Sequence, residues 1–114
     1  MAIDKTFQDF FNDDQKKKQM ELIATFSKFK GKRVSLEHYR KIVKARLMKS
    51  FESQFRAVAK QEIEAYAHPD YLQIVEALEI ATEEETKAWW ALEMIKLEID
   101  VWRTEQANNR KIDH

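Results

Sequence analysis

Cysteine is absent from the chain, and glycine and proline occur once each, as Gly31 and Pro69. Without thiols there can be no disulfide, no thiolate metal site and no cysteine nucleophile, a composition that fits a reducing compartment. A lone glycine excludes a glycine-rich phosphate loop. The scarcity of both breakers argues against a turn-rich sheet protein and for long helices. Long apolar runs are missing too: none approaches the roughly 18 residues of a membrane span. The start Met1-Ala2-Ile3-Asp4-Lys5-Thr6 lacks the basic-then-apolar order of a secretory signal. These absences predict a soluble, cytoplasmic chain with no membrane partner.

What is present is charge, and it is unevenly spread. Residues 1–60 hold fifteen Lys/Arg against seven Asp/Glu, a balance of +8, and residues 61–114 hold five against thirteen, a balance of −8. The formal net charge of zero therefore conceals a strong asymmetry. Most of the positive excess lies between Lys28 and Lys49, where nine basic residues meet a single acid, Glu37. Clustered cations raise the local potential and attract polyanions.

With 114 residues, 44% of them apolar, the chain is long enough for one domain with one core and too short for two of ordinary size. The expectation is a single all-α domain of four to five helices. Asp4 or Thr6 would cap a short helix carrying Phe7, Phe10 and Phe11, and Asn12-Asp13-Asp14 would interrupt it or cap the next. That second helix, with Met20, Ile23 and Phe26, would stop at Gly31, where a left-handed residue costs least. After a basic turn, Ser35 would cap a long basic helix over 35–68, in which Leu36, Tyr39, Val43, Leu47, Phe51 and Phe55 recur at the helical period. Some 30 residues of helix would span about 45 Å, long enough to bend or break near Ser50–Ser53, to project as an arm, or to pack on another subunit.

Pro69 disfavours helix at His68 and suits a first helical position, so the chain should turn at His68-Pro69-Asp70 and restart. An acidic helical hairpin would follow over 69–106. Its second helix would start at a capping box of Thr82 with Glu85, and the polar tail 107–114 would fray. This last helix carries two apolar stripes. Ala88, Leu92, Ile95, Ile99 and Trp102 form one, and Trp90, Met94, Leu97 and Val101 the other. One stripe serves an internal core; a second needs a further surface, so Trp90, Met94, Leu97 and Val101 are the candidate interface of a homo-oligomer, most simply a dimer.

The candidate nucleic-acid surface is Lys30, Lys32, Arg33, Arg40, Lys41, Lys44, Lys49, Arg56 and Lys60. On an unbroken helix Lys41, Lys49, Arg56 and Lys60 fall near one line with Arg40 and Lys44 beside them, a row able to track a phosphate backbone while aromatic side chains stack on unpaired bases. The competing reading is a solvated face whose cations pair with the acidic half. Metal and catalytic chemistry find little: Glu64, His68 and Asp70 are too few ligands alone, and no serine has a His/Asp arrangement around it. No catalytic residue, metal or cofactor is expected.

Lys44-Ala45-Arg46-Leu47 resembles the basic motif of phage recombination mediators, small helical oligomers that bind single-stranded DNA and load a recombinase. The likeness covers four residues, the Gly-rich stretch that follows the motif in that family is missing, and no residue role is carried over. As to origin, a short, Cys-free, charge-rich helical chain suits a phage or mobile-element accessory protein. Two readings stand: a non-enzymatic accessory protein that binds single-stranded DNA or RNA with little sequence specificity, and a helical protein–protein interaction module (inhibitor, adaptor or assembly factor) with no nucleic-acid role. An exposed basic stripe favours the first. Cations tied up in salt bridges favour the second.

Overall fold

A computed structural model describes residues 12–112. Among these, 92% are helical and none lies in a strand, so the all-α class holds. They form three helices, not four to five: α1 (Asp13–Phe51), α2 (Val58–Ala67) and α3 (Pro69–Ile112). The expected first helix around Phe7, Phe10 and Phe11 lies outside the described residues.

Asn12 settles the start of α1. Its side-chain Oδ1 accepts a hydrogen bond from the Gln15 N–H at 2.9 Å, and its carbonyl accepts from Lys16, the pattern of a capping residue. Asp13 and Asp14 then lie in the first turn, where the helix dipole favours anions.

Gly31 does not stop this helix, and Ser35 does not start another. No described residue has a positive φ, so Gly31 adopts ordinary helical geometry and gives up nothing but propensity. The turns on either side hold the helix: Phe29 and Leu36, one heptad apart, are half-buried on one face, and Arg33 is anchored to Glu37 one turn on.

The expected helix over 35–68 is divided. Its first part ends at Phe51, and residues 52–57 form a connector before α2. The Phe51 carbonyl accepts from both the Gln54 and Phe55 N–H groups, and the Ser50 hydroxyl donates to the Leu47 carbonyl at 2.6 Å, so polar groups near Ser50–Ser53 compete with helix continuation. Buried Gln61 fastens the connector by donating through Nε2 to the Phe55 carbonyl at 2.8 Å.

A one-residue break at His68, with extended backbone, separates α2 from α3 as the proline requires. Pro69 opens α3, and the His68 ring Nδ1 accepts from the Asp70 N–H at 3.1 Å. The expected hairpin over 69–106 is instead one unbroken helix that runs on to Ile112, through most of the tail expected to fray. Thr82 is not a cap: its hydroxyl donates back to the Leu78 carbonyl at 2.8 Å, the habit of a mid-helix threonine.

The described chain divides into two compact units, one spanning Ser27–Glu85 and one joining 12–26 with 86–112. Within Ser27–Glu85, α1 and α3 run antiparallel: Arg33 meets Glu85, while Val43 and Leu47 share a groove of about 370 Å³ with Asp70 and Ile74. Val43, Ala65, Ile74 and Ala81 are its buried apolar residues, and each of the larger two contributes about 1.5–3 kcal/mol on burial. In the other unit Ala88 is buried, with Leu92, Ile95, Ile99 and Trp102 half-buried along the same side of α3. Buried side chains among the described residues are thus few and small.

Candidate functional site

Arg33, Lys44 and Lys60 among the basic candidates are held by carboxylates. Arg33 donates through Nε and Nη2 to both oxygens of Glu85, the second at 3.1 Å, and through Nη1 to Glu37 at 3.1 Å. A fork gripping a carboxylate in this way is the strongest ordinary ion-pair geometry. Hydrogen bonding to Glu85 and then Glu37 raises the Arg33 guanidinium above its ordinary range, and the Arg33 bond holds the Glu85 carboxyl below the usual carboxylate range. Lys44 donates to the Tyr66 hydroxyl at 2.6 Å and to Glu62 at 3.1 Å, and Tyr66 donates to the same Glu62 oxygen at 3.0 Å. Those bonds, Tyr66 before Glu62, raise the Lys44 ammonium, and the Lys44 bond lowers Glu62. Lys60 pairs with Glu64 at 3.3 Å and also lies over the Phe55 ring.

The other six are placed differently. Lys30 is close enough to Glu85 to favour its charged form. Arg40 is half-covered on the inner side of α1 with Arg33 and Lys44. Arg56 belongs to the connector, so the straight row from Lys41 to Lys60 does not exist: it required a helix through residues 52–57. Lys32, Lys41 and Lys49 remain as exposed cations of α1, none within ion-pair distance of a carboxylate among the described residues.

The second candidate surface lies along one face of α3. Trp90, Met94, Leu97 and Val101 are all exposed, between 50% and 59%, while the opposite stripe of α3 is the covered one. Steps of four, three and four residues align them in a seam with coiled-coil spacing. Trp89 stands beside it, its ring edge-on to Trp90 with centroids 4.7 Å apart. Leu97 and Val101 line a shallow depression of about 300 Å³ with Trp102, Glu98 and Glu105. Sequence reasoning missed Glu62, Tyr66 and Glu85 as the partners of the basic helix. It also missed the exposed outer stripe of α1, where Tyr39 and Ile42 line a second depression of about 500 Å³ with Lys32 and His38.

No protein-family model, no curated protein and no solved structure matches the chain.

The chemistry open to these groups follows from their protonation. A general acid or base works best when its pKa lies near the operating pH. The shifts at these four groups move the other way, fixing Arg33 and Lys44 as cations and Glu62 and Glu85 as anions. Among the described residues no three His, Asp or Glu side chains are grouped to hold a metal ion, and no helix is long and apolar enough to cross a membrane.

Proposed function

We propose that the protein is a non-enzymatic helical interaction module that assembles with protein chains through the exposed seam of α3. The observation that carries this reading is the exposure of Trp90, Met94, Leu97 and Val101 in register on one helix face. Contiguous apolar surface rimmed by polar residues marks interaction sites on soluble proteins, and tryptophan is enriched where binding energy concentrates. The engagement of Arg33, Lys44 and Lys60 by glutamates supports the same choice, since those cations are spent within the fold.

Light scattering at micromolar concentration tests the reading on the protein alone. The wild type should have the mass of a dimer or larger assembly. Met94→Gln with Leu97→Gln should weaken association on the order of a hundredfold, from the apolar burial lost at two side chains, with helix content unchanged. A monomeric wild type, or an assembly indifferent to the double substitution, overturns it.

A second reading, weakly sequence-specific binding of single-stranded DNA or RNA, draws on the exposed Lys32, Lys41 and Lys49, which pair with no carboxylate among the described residues. A monomeric wild type that retards single-stranded DNA with a steep salt dependence, lost on replacing those three lysines by alanine, would transfer the assignment to it.

A further inference from the structure

Between residues 93 and 105 the charged residues that flank the α3 seam are all of one sign, and Lys87 stands before them, one turn ahead of Trp90. At 100° per residue, Glu98 and Glu105 border it on one side and Glu93 and Asp100 on the other, while Lys96 and Arg103 lie further round the helix. These are the positions that face a partner's flanks in paired helices, where opposite charges select the partner and like charges reject it. Two copies joined seam to seam would therefore set acid against acid over residues 93–105, whether parallel or antiparallel. The occupant called for is a helix face that carries bases beside apolar side chains.

The chain carries a basic helix face with apolar side chains set among its bases. The outer part of α1 presents Val34 and Ile42, exposed, with Ala45 between them and Tyr39 at the edge that turns towards the groove with Asp70. Lys32, Lys41, Arg46 and Lys49 are interleaved with them, all exposed. Each stripe also has a shallow depression for a knob from the other. The one on α3 is rimmed by Glu98 and Glu105, and the one on α1 by Lys32 and His38.

Resting on the reading that the α3 seam is a protein-docking face, we infer that its occupant is the basic outer face of α1 from a second copy of this chain. The contact is heterologous: each copy offers two different surfaces and uses the seam of one neighbour and the basic stripe of another. Such contacts close into rings or extend into filaments, according to the rotation between successive copies.

Charge exchange tests this. Glu98→Lys, Asp100→Lys and Glu105→Lys together make both surfaces of a copy basic, and Lys32→Glu, Lys41→Glu and Arg46→Glu together make both acidic. All six sites are exposed, so each variant should keep its helix content. Each triple variant alone should assemble at least about tenfold more weakly than the wild type, and an equimolar mixture should recover assembly, because the altered surfaces then match. Salt gives an independent reading on the wild type itself: complementary flanks predict assembly that weakens as salt rises, and a seam-to-seam contact predicts assembly that strengthens. Five results would overturn the inference. Wild-type assembly that tightens with salt, or a variant with the acidic flank exchanged that assembles more tightly than the wild type, identifies a seam-to-seam dimer and leaves the docking reading standing. Indifference to the exchange of Lys32, Lys41 and Arg46, or loss in both variants without recovery on mixing, shows that α1 is not the occupant. A monomeric wild type removes the docking reading as well.

Discussion

Replacing Gly31 by alanine should stabilise the protein. In an exposed helix interior, glycine is about 0.8–1 kcal/mol less favourable than alanine, chiefly because its unfolded backbone is freer. Gly31 sits in that setting: it is within α1, its φ is not positive, and a Cβ built on it meets nothing within 4 Å. The added methyl brings neither clash nor contact, so the whole effect is one of propensity. For a chain of this size the gain corresponds to a rise in Tm of roughly 3–6 °C. Thermal unfolding followed by far-ultraviolet circular dichroism measures it directly. The opposite sign is what the local sequence alone suggests. A glycine ending a helix takes a left-handed conformation, and alanine there would lose about 1–2 kcal/mol. A lower Tm for Gly31→Ala would therefore refute the continuity of α1 through residue 31.

Gln61→Leu, similar in volume but unable to donate, should leave the Phe55 carbonyl without its side-chain partner and lower stability by about 1–2 kcal/mol in urea unfolding; unchanged stability with unchanged amide exchange in residues 52–57 would show that the connector does not depend on this bond. The lowered pKa of Glu85 makes its contribution one that is present above the ordinary carboxylate value near 4.5 and lost as pH falls through the depressed value. Thermal melts of wild type and Glu85→Gln should accordingly differ at neutral pH and converge in acid, and a constant difference across that range would exclude the Arg33 pair as its source.

How far the sequence could be read depended on whether a signal was local. Pro69 fixed a helix start because its ring acts on its own φ and on the residue before it. The two stripes of α3 were legible because period alone sorts side chains onto faces, although which stripe is covered is decided by the rest of the fold. Thr82 with Glu85 misled because the same pair suits a cap or a helix interior. What distinguishes them is the hydroxyl's bond to Leu78 and the carboxylate's grip on Arg33, a partner 52 residues away that no local pattern announces. The basic row failed for a related reason. Its alignment assumed one helix from Lys41 to Lys60, and the connector around Phe55 removes the geometry on which the row stood.

The two compact units also divide the chromophores. Trp89, Trp90 and Trp102 all belong to the terminal unit, and Tyr39, Tyr66 and Tyr71 all belong to Ser27–Glu85. Red-edge excitation, where tyrosine does not absorb, thus reports on one unit alone, and the tyrosine part of the near-ultraviolet spectrum, once the overlapping tryptophan part is subtracted, on the other, with no label introduced. Coincidence of transitions seen by different probes is the accepted test of all-or-none unfolding. This chain holds both probes in separate places, so a single denaturation series would reveal whether its two units melt together or in turn.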